Sequence, residues 1–581
     1  MPDAAAWGLA PGFHDIAGNW RGLLPETERA ILAAMGAESE RPPEAAIRIV
    51  AAGRRLRLPP EAELISEDGA LLRGLTPPLP MGYHRLRWEG GDALLIAAPG
   101  RCQPPPAGRR WGWAAQLYAV RSGRSWGIGD LRDLADLARW SRSLRAAALF
   151  VNPLHAVVPR RRQETSPYYP SSRCFRNPLY IAIDEPPGAS LQRLNRLPEI
   201  DRDRVWRLKL AVLERRYDSF GGDGGFDAYL AEQGRALEDF ATFCALAERR
   251  ARPWPEWPEG LRNPRSRQVA DYRRANARRV RFHAWLQWLL DVQLGEAARV
   301  GAGLVHDLAV GIAPDGADAW RWQDVVARGM RIGAPPDPFQ AEGQDWGMPP
   351  FDPWRLRAAG YGPLIETLRA AFRHGAGLRV DHVMAFFRLF WMPAGGTPAE
   401  GAYVRYPDRE LLAVLAVESR RARAFVVGED LGTVEDRVRA ELLRRGVLGY
   451  RLLYFEDRPP SDYPAQAVAA AATHDLPTLA GLLAGGERTF HERLERYAGV
   501  DADTPVEEAV LRVYSALARS PSRLVAASLE DAARQVEQPN RPGTLDPRNW
   551  SLALPGGLER LRSDPFVSRL AAALREGRLP S

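Results

Sequence analysis

Beyond residue 110, short apolar segments recur along this 581-residue chain, and most of them run into Asp, Glu, Asn or His at their C-terminal ends. They are Gln116 to Ser122, Ala148 to Leu154, Leu304 to Val310, Leu378 to Val383, Phe425 to Leu431, Tyr450 to Glu456, Ala470 to Asp475 and Leu524 to Asp531. Apolar strands separated by helical patterns call for a parallel sheet covered on both faces. Eight of them predict closure into a (β/α)8 TIM barrel of the α/β class. In such a barrel the polar strand ends gather at one mouth, where barrel enzymes place their chemistry.

Residues 1 to about 110 read differently, as a small N-terminal domain of mixed helix and β. A short helical pattern spans Glu26 to Met35, β-like segments follow, and Pro-rich breaks fall at Pro77 to Pro80 and Pro104 to Pro106. The second break is the expected linker to a catalytic unit over 111–581. Between the second and third apolar segments lies a large insertion at about 159–299. Its second half is helical by spacing over Leu237 to Arg249 and Arg281 to Leu294. Trp285 and Trp288 belong to that pattern and are expected in its core.

Charge excludes one class of partner. Lys and Arg total 79 against 72 Asp and Glu, but Lys209 is the only lysine and the arginines are scattered, so no nucleic-acid footprint is expected. The run Arg160 to Arg162 reads as a solvated loop. Cys102, Cys174 and Cys244 form neither a disulfide framework nor a C-x-x-C metal pair, which fits a reducing compartment. No signal-like segment and no apolar run near the ~20 residues of a membrane span is found, so the expected place is the cytoplasm, without membrane contact.

Three acids stand at segment ends in polar company: Arg379-Val380-Asp381-His382, Gly428-Glu429-Asp430-Leu431-Gly432 and Thr473-His474-Asp475. Retaining glycoside chemistry needs one ionised carboxylate to attack the anomeric carbon and a protonated one about 5 to 5.5 Å away to protonate the leaving oxygen. Neighbouring barrel strands supply such a spacing. Arg379 lies two residues before Asp381, on the same strand face, and favours its ionised form, which suits a nucleophile. Glu429 has no adjacent cation, and nearby carboxylates would raise its pKa, which suits an acid/base. Asp475 would be a third acid accepting sugar hydroxyls, flanked by His382 and His474. Carboxylates suffice for these steps, so no cofactor or metal is expected; His-Glu-x-x-His, P-loop and calcium-loop patterns are absent. The chemistry alone reaches a retaining α-glucan enzyme and serves an α-amylase-like hydrolase equally well.

The same three motifs, in the same order, resemble those of the bacterial amylomaltases, the 4-alpha-glucanotransferases of glycoside hydrolase family 77. Ser125 to Leu131, Asn152 to Ala156, Ser166 to Arg173, Pro253 to Pro258, Gly316 to Trp320, Gly333 to Asp337, Gly343 to Gly347, Asn540 to Thr544 and Asn549-Trp550 extend the resemblance from about residue 80 to 555. The glycines of Ser125 to Asp130 lack the G-x-G-x-x-G spacing of a dinucleotide loop. Leu479 to Leu483 departs from relatives, which carry tryptophans there.

The resemblance implies that Tyr168 packs on the donor glucose and that Arg379, His382 and His474 surround the reacting ring. It further implies that Asp337, Gln344 and Trp346 sit on a loop closing over the acceptor side. The implied reaction moves a segment of an α-1,4-glucan to glucose or another α-1,4-glucan rather than to water. Oligomeric state is not indicated.

Overall fold

The computed structural model describes residues 2–15, 18–336, 340–432 and 434–578. Its centre is a ring of eight strands: β1 (Arg110–Ala115), β2 (Ala148–Val151), β3 (Gly303–Leu308), β4 (Gly377–Val380), β5 (Phe425–Gly428), β6 (Gly449–Leu452), β7 (Ala467–Ala470) and β8 (Leu524–Ser528). Each pairs in parallel with its sequence neighbour from β1 to β5 and from β6 to β8, and β8 returns to β1. The ring closes between β5 and β6, where Gly428 N donates to Leu448 O at 2.8 Å and Leu448 N to Val426 O at 2.9 Å. The predicted (β/α)8 barrel is therefore the observed fold.

Side-chain alternation explains why the segments are apolar throughout. Phe150, Val305, Val427, Leu452, Val468 and Ala526 fill the barrel interior, while Leu149, Val151 and Val525 on the other face meet the surrounding helices. Helix Leu131–Ser143 follows β1 and starts at Asp130, whose side chain accepts the Arg132 and Asp133 backbone N–H groups in a capping box.

The first strand lies upstream of its expected position. Arg110–Ala115 forms the strand, and Leu117–Ala119 within the expected Gln116 to Ser122 is a single 3-10 turn. That turn is buried, so its apolar residues mimic a strand. It is fixed by Leu117 N donating to Asn152 Oδ1 at 2.7 Å and by Gly129, where a Cβ would lie 1.9 Å from Leu117 O. The seventh strand likewise ends at Ala470, leaving Thr473 to Asp475 in the loop that follows.

The insertion after β2 contains helices Arg202–Asp218, Gly224–Glu248 and Ala277–Val300. Trp285 is buried, and Tyr217, Phe220 and Phe282 lie at 5.3 to 6.3 Å ring spacings around one another and the indole. Trp288 joins them through Phe220 and Phe226.

Loops after β3 and β4 build an antiparallel accessory sheet in the order Gln344–Asp345, Met330–Ala334, Arg388–Pro393, Ala402–Arg405. The chain start reaches its far edge, where Ala10 N donates to Tyr403 O and Arg405 N to Gly8 O. A separate five-stranded sheet runs Ile47–Ala51, Gly91–Ala98, Gly82–Trp88, Glu63–Ile65, Leu71–Arg73. It docks on helix Asp408–Ala422 through Tyr83 OH, which donates to buried Glu418 at 2.8 Å.

Candidate active site

Strands β4 and β5 pair with Val380 opposite Gly428, so the next residues, Asp381 and Glu429, leave the barrel side by side. Glu429 N donates to Val380 O at 3.0 Å and Val383 N to Glu429 O at 3.1 Å, which carries the pairing one step past the strands. His382 then takes a left-handed backbone with φ 45°, uncommon for a residue with a Cβ. This turn aims its N–H at Glu429 Oε2, 3.0 Å away, while Leu431 N donates to Oε1 at 2.8 Å. Both oxygens of Glu429 are thus held by backbone.

Asp381 is held by a side chain instead. Arg379 Nη2 lies 3.0 Å from Asp381 Oδ1, and Nη1 donates to both oxygens of buried Asp307 at 2.8 Å. Tyr168 OH donates to Asp307 Oδ2 at 2.6 Å. Asp307 and Arg379 are register partners on β3 and β4, which explains the close fit. Sequence reasoning misses Asp307, although a signal exists: one acid near the end of the strand Gly303–Leu308, whose only other polar residue is His306.

The rim is aromatic and polar. The His474 ring stacks on Tyr168 with centroids 5.0 Å apart, and Trp550 lies 5.0 Å from His474 and 5.2 Å from Tyr168. Asp475 accepts Asn540 Nδ2 at 2.7 Å and stands 3.5 Å from His474 Nε2. In the sequence, Asn540 and Trp550 stand out only as parts of motifs. Trp346 meets His382 edge-on at 5.2 Å and donates its Nε1 to Gln344 Oε1 at 3.1 Å. Trp346 and Gln344 belong to the accessory sheet side of the mouth. Asp337 lies outside the described residues.

Tyr168, Asp307, Arg379, Tyr450 and His474 line one cavity of about 790 Å³ inside the barrel mouth. Among the described residues, no three His, Cys, Asp or Glu side chains converge as a cation cage requires.

Burial pushes both carboxyls up, Asp381 to about 8 and Glu429 above its ordinary value. Arg379 opposes the rise at both; Asp307, Glu429 and Asp475 reinforce it at Asp381, and Asp430 at Glu429. The expectation that only Asp381 feels a cation is corrected: Arg379 acts on both, and the asymmetry is one of contact. Burial also pushes His382 down to about 4 and lowers His474, so both imidazoles favour the neutral form.

A family profile described as 4-alpha-glucanotransferase matches residues 115–558. The 4-alpha-glucanotransferase of Mycobacterium tuberculosis (strain H37Rv) is 43% identical over 580 residues, covering 86% of this chain and 80% of its own. That of Haemophilus influenzae is 32% identical over 625 residues, covering 90% and 89%. The crystal structure of amylomaltase from Corynebacterium glutamicum superposes with a TM-score of 0.86 at 29% identity, covering 98% of both chains. Amylomaltase from Streptococcus agalactiae in complex with acarbose shares the fold at TM-score 0.69 and 18% identity, covering 80% of this chain and 99% of its own. With the profile spanning nearly the whole barrel and the three acids inside it, this chain belongs to the 4-alpha-glucanotransferase family.

Proposed function

We propose that Asp381 is the nucleophile and Glu429 the acid/base of a retaining double displacement that moves a segment of an α-1,4-glucan to the 4-hydroxyl of glucose or another α-1,4-glucan. One observation carries this reading: Asp381 and Glu429 follow paired residues on neighbouring strands, and the Arg379 guanidinium, already held by Asp307, lies 3.0 Å from Asp381. Carboxyls this close in the fold titrate as a pair, and a single proton shared between them leaves one to attack and one to donate. The guanidinium contact supports placing the charge on Asp381 and the proton on Glu429.

In the first step Asp381 attacks the anomeric carbon, the glycosidic C–O bond breaks, and Glu429 gives its proton to the leaving oxygen. In the second, Glu429 takes the proton of the incoming 4-hydroxyl, whose oxygen displaces Asp381 and restores the α-1,4 bond. Two inversions give retention. Asp475, steadied by Asn540, accepts hydroxyls of the reacting ring, and its bonds strengthen as the ring flattens. Neutral His382 and His474 serve as further hydrogen-bond partners, and Tyr168 offers its ring to the donor glucose. Trp346, with Gln344, serves the acceptor side, where an aromatic plane meets the C–H face of a sugar, and the family resemblance adds Asp337 to that set. We place the protein in the cytoplasm, since Cys102, Cys174 and Cys244 are free thiols.

The test is incubation of the purified chain with maltotriose. Transfer yields glucose and longer maltodextrins while total reducing ends stay constant; a steady rise in reducing ends overturns it.

A further inference from the structure

Across the ring from β4 and β5 stand β8 and β1, and the residues just past these strands share a cavity with Asp307 and Arg379 of β3 and β4. Strand β8 ends at Ser528, whose Oγ caps the helical turn Leu529–Ala532 by accepting Glu530 N at 3.0 Å and Asp531 N at 3.3 Å. The two acids of that turn have different fates. Asp531 is committed to the scaffold: it accepts Leu479 N at 2.8 Å and Tyr514 OH at 2.7 Å. Glu530 accepts the Ser528 hydroxyl on Oε2 at 2.6 Å, but its Oε1 has no partner although the residue is only 5% exposed.

Gln116, the first residue after β1, repeats the pattern. It is 9% exposed and its Oε1 is also unpartnered. Both side chains line the cavity that holds Arg379, Asp307 and His474. A buried polar atom left unpaired is costly, and native proteins rarely keep two in one wall without a use. Two acceptor oxygens repel anions and are satisfied by O–H donors. In a barrel-mouth cavity that also presents Tyr168, Asp307, Arg379 and His474, the fitting ligand class is a polyol.

We propose that Gln116 and Glu530 form a sugar-hydroxyl subsite that binds a glucose unit of the glucan from the side opposite Asp381 and Glu429. The inference rests on the reading of this cavity as the substrate cleft. The state of Glu530 suits the task, since burial pushes its carboxyl up to about 7. Near neutrality it can therefore accept a hydroxyl proton on one oxygen and donate from the acid form. The wall would read the substrate while the opposite wall performs the chemistry.

The full-length chain carrying Glu530→Leu, Glu530→Gln or Gln116→Leu is assayed with maltotriose, with acarbose as inhibitor, alongside thermal melting. Glu530→Leu is expected to raise KM for maltotriose about tenfold and to weaken acarbose inhibition by a similar factor, with Tm close to wild type. Glu530→Gln keeps an acceptor oxygen and is expected to stay within about threefold. A Leu variant with unchanged KM and unchanged inhibition overturns the subsite, as does a variant whose only change is a lower Tm. If Glu530→Leu does not fold, Gln116→Leu carries the same readout, and unchanged KM and inhibition there overturn the subsite equally. An active Asp381→Asn variant would instead remove the parent reading, so the two failures are distinguishable.

Discussion

Two cavities of similar size flank the end of β4, at about 790 and 690 Å³, and their chemistry is opposite. The inner one presents Asp307, Arg379, Tyr168 and His474. The outer one, between the barrel and the accessory sheet, presents Leu308, Val380, Phe386, Leu389 and Leu411. Strand alternation sorts them: Asp307 pairs with Arg379 in register, and the next pair, Leu308 with Val380, points to the other side. Asp381 belongs to both regions, touching Arg379 while lining the apolar cavity. A carboxylate with a guanidinium in front and hydrocarbon behind is poorly solvated, and its interactions gain strength in a low dielectric. On the reading proposed above, the polar side supplies the reacting groups and the apolar side their environment.

This division of labour is tested most severely at Asp381. Asp381→Asn is expected to cut transfer from maltotriose by about 10⁴-fold or more, measured as glucose released, while the melting temperature is kept. On the apolar side the cost falls on stability. Phe386→Ala removes a buried ring and should cost about 3–5 kcal/mol in denaturant unfolding, with kcat falling far less than in Asp381→Asn. A melting temperature unchanged by Phe386→Ala would show that the outer cavity does not support the fold.

Asp307→Asn probes the polar side alone. It weakens the grip on Arg379 and should lower kcat/KM by about 100-fold, or roughly 3 kcal/mol. It also tests the electrostatics with a sign. Asp307 raises the Asp381 carboxyl, so removing its charge lowers that pKa and moves the acid limb of kcat/KM to lower pH. An acid limb that stays put or moves up contradicts the coupling. The smallest effect is expected from Tyr168→Phe, which loses the bond to Asp307 and a longer one from Arg379 but keeps the ring against His474. It should cost about 1–2 kcal/mol in kcat/KM, and KM for maltotriose reports whether the ring remains in place.

Much of the fold and of the site is legible without coordinates. The barrel follows from segment count and apolar character, and the meeting of Arg379 with Asp381 beside Glu429 follows from their positions at segment ends. The expected Gln116 to Ser122 strand fails because a buried turn is as apolar as a strand, and only backbone pairing separates them. Asp307 escapes notice because an acid inside a strand has no meaning until Arg379 is known to be opposite. Asn540 lies 65 residues from Asp475 along the chain, and no local pattern joins them.

The amino-acid order therefore settles whatever is local: the apolar character that covers both sheet faces, the two-residue step from Arg379 to Asp381, and the motifs of the family. Folding in three dimensions settles which strands lie in register, that Arg379 acts on both carboxyls, and that Glu530 shares a wall with Gln116 across the mouth. The cause is physical: pairing, burial and desolvation depend on groups far apart in the chain, and the charge state of a carboxyl depends on all of them.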